Sequence, residues 1–143
     1  MYDNIIDALK ASAESGEVEF SLFTGDTINL TLDTENLEGD QLLMAIAKVE
    51  PILIALQQKE QFLFDAIAEE YLEEYNEICH PQNPESKEEF LGKIYLESVN
   101  IGTVTPSLFL YYLHENLENF FGDHAIEMLL NFDLEVEYIT IVG

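Results

Sequence analysis

The feature that most constrains the fold is a change of hydrophobic period along the chain. Between about Asp40 and Ile78 an apolar run and then an amphipathic pattern indicate helices, whereas segments 18–32 and 93–142 have the patterns of strands. Helices grouped in the middle and strands grouped at the end are typical of an α+β fold. With 143 residues and no internal repeat or linker, the chain is expected to form a single α+β domain over residues 1–143.

Local signals predict the individual elements. The helical spacing of apolar residues in 1–13 predicts an N-terminal helix that stops near Gly16. Alternating apolar and polar residues in 18–23 and 28–32 predict a β-hairpin. Ser86 and Glu89 form a capping box for a short helix over 86–92. The end of the chain predicts a C-terminal antiparallel β-meander packed on the helices, with strands at 93–101, 107–114, 124–132 and 134–142.

The central part predicts long helices. Segment 42–56 is almost entirely apolar, which is typical of a buried helix, but Pro51 interrupts it. Because a helix interior tolerates proline badly and the first turn accepts it, we expect either two helices, at about 41–49 and from Pro51 onward, or one kinked helix. The amphipathic pattern then continues to Ile78.

The charge balance excludes several classes of ligand. The chain has 29 Asp and Glu residues against 5 Lys and no Arg, for a net charge of -24, yet 48% of its residues are hydrophobic. A core is therefore possible, and the acidity belongs to the surface. Direct nucleic acid binding and docking on anionic membranes both need basic clusters, which this chain lacks. Without a basic, apolar leader or a long apolar span, a cytoplasmic location is expected.

One helix face is the main candidate binding surface. Five glutamates of the central amphipathic segment fall within an arc of about 140°, and Asp65 lies at its edge. This predicted partner-binding set is Asp65, Glu69, Glu70, Glu73, Glu74 and Glu77. Such a face is either solvated surface or a docking site for a basic protein, whose association it would accelerate by electrostatic steering.

Catalytic and metal signals are weaker. His114, Asp123 and His124 lie at the ends of two neighbouring predicted strands, so a hairpin could bring both histidines to one metal ion. The spacing is generic, and structural histidines are the alternative. Cys79 and His80 are adjacent in a helix and do not face each other as a nucleophile pair must. With no nucleophile elbow and no phosphate loop, we expect no enzyme activity and no cofactor.

Aromatic residues on the strand 107–114 suggest a second surface. Alternation places Phe109 and Tyr111 on one face of the strand and Leu110 and Tyr112 on the other. Either the domain covers both faces itself, or helices cover one face and a partner covers the other.

Six segments in the second half of the chain form a recognisable series: the acidic, tyrosine-containing run 68–76, the helix entry 84–90, the strand segment 94–99, the aromatic strand 108–112, the turn 120–126 and the final 141–143. In these segments, the part from Ala66 to Gly143 resembles a family of small bacterial proteins classed as a domain of unknown function, whose members include immunity-type proteins. The resemblance implies that the chain neutralises a toxin by direct binding. It carries no catalytic residues over to this sequence, and the family's turn often has a tryptophan that is missing here.

Together these observations predict an acidic inhibitor, of the immunity type, that neutralises a basic toxin or effector by direct binding. A DNA-mimic protein is a variant of this function. The alternatives are a small metal-binding enzyme that uses His114 and His124, and a structural subunit whose acidity reflects a generally acidic proteome. The sequence leaves the oligomeric state open.

Overall fold

The computed structural model describes residues 4–23, 26–114 and 124–142. Within them, helices and strands follow one another as α1 Ile5–Ser15, β1 Val18–Phe20, β2 Ile28–Asp33, α2 Gly39–Gln57, α3 Glu60–Cys79, α4 Lys87–Leu91, β3 Ile94–Gly102, β4 Ser107–His114, β5 Ala125–Leu130 and β6 Val136–Val142. The predicted α+β fold is confirmed, with its N-terminal helix and hairpin, central helices and C-terminal meander.

All of these strands belong to one mixed sheet in which strand order follows chain order, from β1 to β6. The hairpin pairs β1 with β2, and the meander pairs β3 through β6, all antiparallel. β2 and β3 run parallel, with Leu30 opposite Val99. This parallel pairing joins hairpin and meander into one sheet. It was not predicted, because three helices separate the two strands in the chain.

A serine ties α1 to the sheet. The predicted stop is confirmed at Gly16, which caps α1 with a φ of 92° that favours glycine. The buried Ser12 hydroxyl donates to the Gly16 carbonyl over 2.6 Å and accepts from the Leu32 amide over 2.8 Å. Val18, the first residue of β1, pairs with Leu30, so Leu32 lies past the part of β2 that pairs with β1 and this bond satisfies a backbone donor that β1 does not reach.

The long central helices divide at a different place from the one the proline suggested. α2 continues through Pro51, which is exposed, so the Ala47 carbonyl that loses its helical partner can bond to water. The break falls at residues 58–59, where Gln58 and Lys59 donate to carbonyls three residues back and tighten the last turn. Of the two alternatives, the prediction of separate helices on either side of Pro51 is wrong.

The hydrophobic core lies between the helices and one face of the sheet. Alternate residues of β4 are buried: Leu108, Leu110, Tyr112 and His114. The Phe64 ring of α3 meets the Tyr112 ring edge-on, with centroids 5.6 Å apart. Tyr75 of α3 packs on Phe90 of α4 at 4.9 Å. α3 therefore crosses the meander on its buried face.

No helix in the described part of the chain is long and apolar enough to cross a membrane.

Candidate functional site

The central helical segment places five predicted site residues together on the surface. Glu69, Glu70, Glu73, Glu74 and Glu77 are all exposed on α3, and we call them the acidic face. The buried residues of the same helix are Leu63, Ile67, Ala68, Tyr71 and Tyr75. Because this apolar stripe holds the helix on the sheet, it fixes the acidic face toward solvent.

Asp65, the sixth predicted site residue, is engaged in an ion pair within the chain, at the surface. Its Oδ1 lies 2.8 Å from Lys87 Nζ of α4 and accepts a hydrogen bond of 2.8 Å from Gln61 Nε2. The Lys87 hydrogen bond, supported by the one from Gln61, lowers the pKa of Asp65. Asp65 thus joins α3 to α4, and the acidic face proper consists of the five glutamates.

The lysines do not neutralise the acidic face. The salt bridges between described residues join Lys87 to Asp65 and Lys93 to Glu85, with His80 also beside Glu85, and none includes a glutamate of the acidic face. Three i,i+4 glutamate pairs remain, each repelling by about 0.2–0.5 kcal/mol. A positively charged partner would relieve this repulsion.

The connection after α3 is held by a polar cluster around Glu85. Its backbone bonds twice to the Asn76 side chain, over 2.9 and 3.0 Å, and its carboxylate pairs with Lys93. The His80 Nε2 atom lies 3.2 Å from the Tyr75 hydroxyl and 3.5 Å from Glu85. These contacts fasten the proline-containing turn to α3 and to Lys93, which follows α4.

Cys79 does not have the surroundings of a nucleophile. Burial, and then the negative charge of Glu85, raise the pKa of its thiol. A catalytic cysteine needs a lowered pKa, since the thiolate is the reactive form. His80, its neighbour in sequence, points to Tyr75 instead.

The structure separates the environments of the predicted metal ligands. His114 lies in the core with its ring 5.4 Å from that of Tyr75 and 6.0 Å from that of Phe90. His124 is exposed just before β5, and Asp123 lies outside the described residues. Among the residues that are described, no group of three or more His, Cys, Asp and Glu side chains could hold a metal ion.

The second face of the sheet is aromatic and only half-buried. Phe109 and Tyr111 lie on it, as alternation predicted, while Leu110 and Tyr112 face the helices. Glu127 sits opposite Tyr111 and accepts hydrogen bonds from the Tyr111 hydroxyl at 2.8 Å and the Tyr138 hydroxyl at 2.7 Å. Burial, and then the Glu127 bond, raise the pKa of Tyr111 to about 12. This cluster was missed, because only the strand register reveals it.

A cleft of about 540 Å³ opens where this face meets the end of α1. Its lining includes Ser12, Asp33, Asn100, Phe109 and Tyr111. Asp33 is the one charged side chain among the described lining residues, so the cleft offers one carboxylate, the Asn100 amide and threonine hydroxyls, while the Ser12 hydroxyl is already bonded twice. These groups can bind a polar or cationic group, but they do not make a nucleophile paired with a base.

The outer side of α2 is exposed, although the apolar segment 42–56 predicted a buried helix. The predicted buried helix is buried on one side only, through Ile46, Val49, Leu53 and Leu56. On the other side Leu43 is 52% exposed, Met44 72% and Ile54 47%. An apolar run marks a helix as apolar all round, but it does not tell which side the domain covers.

Comparison with known proteins returned no match: no family model, no curated protein and no solved structure matches this chain.

Proposed function

We propose that this protein is an acidic inhibitor that binds a basic protein through the acidic face of α3. The observation that carries the proposal is five exposed glutamates on a helix whose other side is anchored in the core. None of the five takes part in an ion pair with another described residue. A rigid array of like charges is costly alone and favourable against an array of opposite sign.

The expected benefit lies chiefly in the rate of association. A net charge of -24 attracts a basic partner over distances of about one Debye length, roughly 10 Å at 0.1 M salt. Steering of this kind raises association rates by about 10- to 1,000-fold and weakens as salt is added. The partner proposed is therefore a protein with a basic cleft or ridge that fits a single helix.

The resemblance of residues 66–143 to immunity-type proteins suggests that the partner is a toxin or effector. Many toxins act on nucleic acid through basic clefts, and an acidic helix can fill such a cleft in place of phosphate. A DNA mimic would use the same surface toward several DNA-binding proteins. The toxin inhibitor and the DNA mimic differ in the number of partners that they predict.

The first experiment is co-purification. The tagged chain is expressed with the product of the adjacent gene and, separately, incubated with host lysate, each at low and high salt. One stoichiometric basic partner that is retained at low salt and lost at high salt would support the inhibitor. Recovery of many DNA-binding proteins together would support the mimic. No partner at either salt would contradict both.

Two variants of equal charge locate the contact. Glu70, Glu73 and Glu74 are changed together to Gln, which removes three charges from the acidic face. The matched control changes Glu14, Glu17 and Glu19 to Gln, three exposed positions on and after α1. We expect only the first variant to lose the partner; equal loss in both would contradict this placement of the site.

A further inference from the structure

The outer side of α2 is an apolar surface on an otherwise acidic molecule. Six exposed apolar residues fall within an arc of about 120° that also holds the exposed Asp40 of the first turn, and we call these six the α2 ridge: Leu43, Met44, Ala47, Pro51, Ile54 and Ala55. Four of the large apolar residues exposed in the described structure lie on α2 or at the start of α3: Leu43, Met44, Ile54 and Phe62. Clustered apolar residues of this kind mark an interaction surface.

The charges near the α2 ridge indicate which kind of partner can bind it. α2 has 19 residues, of which only Asp40 and the half-buried Glu50 are acidic. A basic partner would find almost no carboxylate to pair with on this helix. A second copy of the chain, repelled everywhere else by its own acidity, can approach here.

The two ends of α2 differ in charge. Glu38 and Asp40 lie at its N-terminus, whereas Lys59, two residues past its C-terminus, is followed by Glu60, so this end is close to neutral. Two copies of α2 laid antiparallel would set the lysine of each against the acidic end of the other. The two helix dipoles would also be antiparallel, which is a favourable arrangement. An antiparallel register that sets Met44 against Ile54, and Ala47 against Pro51, keeps all four on the contact.

We propose that the protein forms a symmetric homodimer through antiparallel contact of the two α2 ridges. This inference is independent of the proposed function, since it uses a different helix and depends on salt in the opposite direction. Salt screens the repulsion between two acidic copies and so strengthens the dimer, whereas it weakens a complex with a basic partner.

Sedimentation velocity of the full chain, over a range of protein concentrations at low and high NaCl, tests the proposal. We expect a shift from monomer to dimer mass as concentration rises, with a dissociation constant that falls severalfold at high salt. A monomer under all conditions, or a dimer that salt weakens, would overturn the proposal. So would a chain that stays monomeric while its ridge captures a different protein.

Matched variants locate the interface. Met44→Glu should raise the dissociation constant about tenfold or more, because it buries a charge in the ridge contact. Ile78→Glu adds the same charge at a position that is 60% exposed on α3, and should change it less than about twofold. Equal weakening by both variants would place the interface elsewhere.

Cross-linking gives a reading that does not depend on these variants. In a Cys79→Ser background, Ala47→Cys should be joined into a covalent dimer by a short bismaleimide. Gln82→Cys, exposed after α3, should stay monomeric under the same conditions. Cross-linking of both to the same extent, or of neither, would contradict the ridge contact.

Discussion

At the scale of single residues, a few polar side chains hold one element of the fold to the next. The Ser12 hydroxyl is the clearest case, because it bonds both the end of α1 and the Leu32 amide of β2. In the same way the Asn76 side chain accepts a hydrogen bond from the Glu85 amide. The Glu127 carboxylate accepts hydrogen bonds from two tyrosine hydroxyls. Such bonds stabilise only modestly, but leaving a buried partner unsatisfied is costly.

Ser12→Ala should therefore lower the free energy of unfolding by about 1–3 kcal/mol, since the buried Leu32 amide loses its acceptor. Ser15→Ala is the matched control, because Ser15 lies in the same helix, is exposed and donates to the Ala11 carbonyl. Its cost should stay within about 0.5 kcal/mol. Urea unfolding followed by circular dichroism measures both, and equal losses would contradict the role given to Ser12.

The raised pKa of Tyr111 predicts that the stability of the fold decreases at alkaline pH. Its pKa is raised to about 12 in the folded chain, against about 10 in an unfolded one. Between these values the folded state holds a proton that the unfolded state has lost, so stability is full below pH 10 and falls as pH rises toward 12. Tyr111→Phe should decline less steeply over this range in urea titrations, whereas the exposed Tyr95→Phe should follow the wild type. Identical curves for Tyr111→Phe and wild type would contradict the assignment.

At the scale of elements, local signals predicted most helices and strands. The Ser86 capping box begins α4 as expected, with both reciprocal hydrogen bonds formed. The alternation of β4 and the stop at Gly16 were also predicted correctly. Contacts between distant elements were not: the pairing of β2 with β3 and the ion pair of Asp65 with Lys87 leave no local trace in the sequence.

Replacing Pro51 tests how much stability α2 loses by having a proline in its interior. Proline in a helix interior costs about 3 kcal/mol relative to alanine, and α2 retains it on the exposed side. Pro51→Ala should restore the bond to the Ala47 carbonyl and raise the free energy of unfolding by about 1–3 kcal/mol. Thermal and urea unfolding would measure it. A loss of stability would mean that packing around α2 requires the proline geometry.

At the scale of the whole molecule, the surface divides into an acidic part and an apolar part. The acidic face has five exposed carboxylates, which the proposed basic partner would contact, while the α2 ridge is apolar and would form the proposed dimer contact. The acidic face was predictable, because periodicity alone identifies the solvent side of an amphipathic helix. The ridge was not, because α2 is apolar on both sides and only the tertiary structure shows which side is covered.

The most direct test of the inhibitor is the association rate with the co-purified partner, measured by stopped flow across a series of salt concentrations. Wild type should associate fast at low salt and slow steeply as salt is added. The variant Glu70, Glu73, Glu74→Gln should associate severalfold more slowly and depend less on salt, while the control variant Glu14, Glu17, Glu19→Gln should stay close to wild type. A wild-type rate that is indifferent to salt, or an acidic-face variant that associates as fast as the control, would contradict the account.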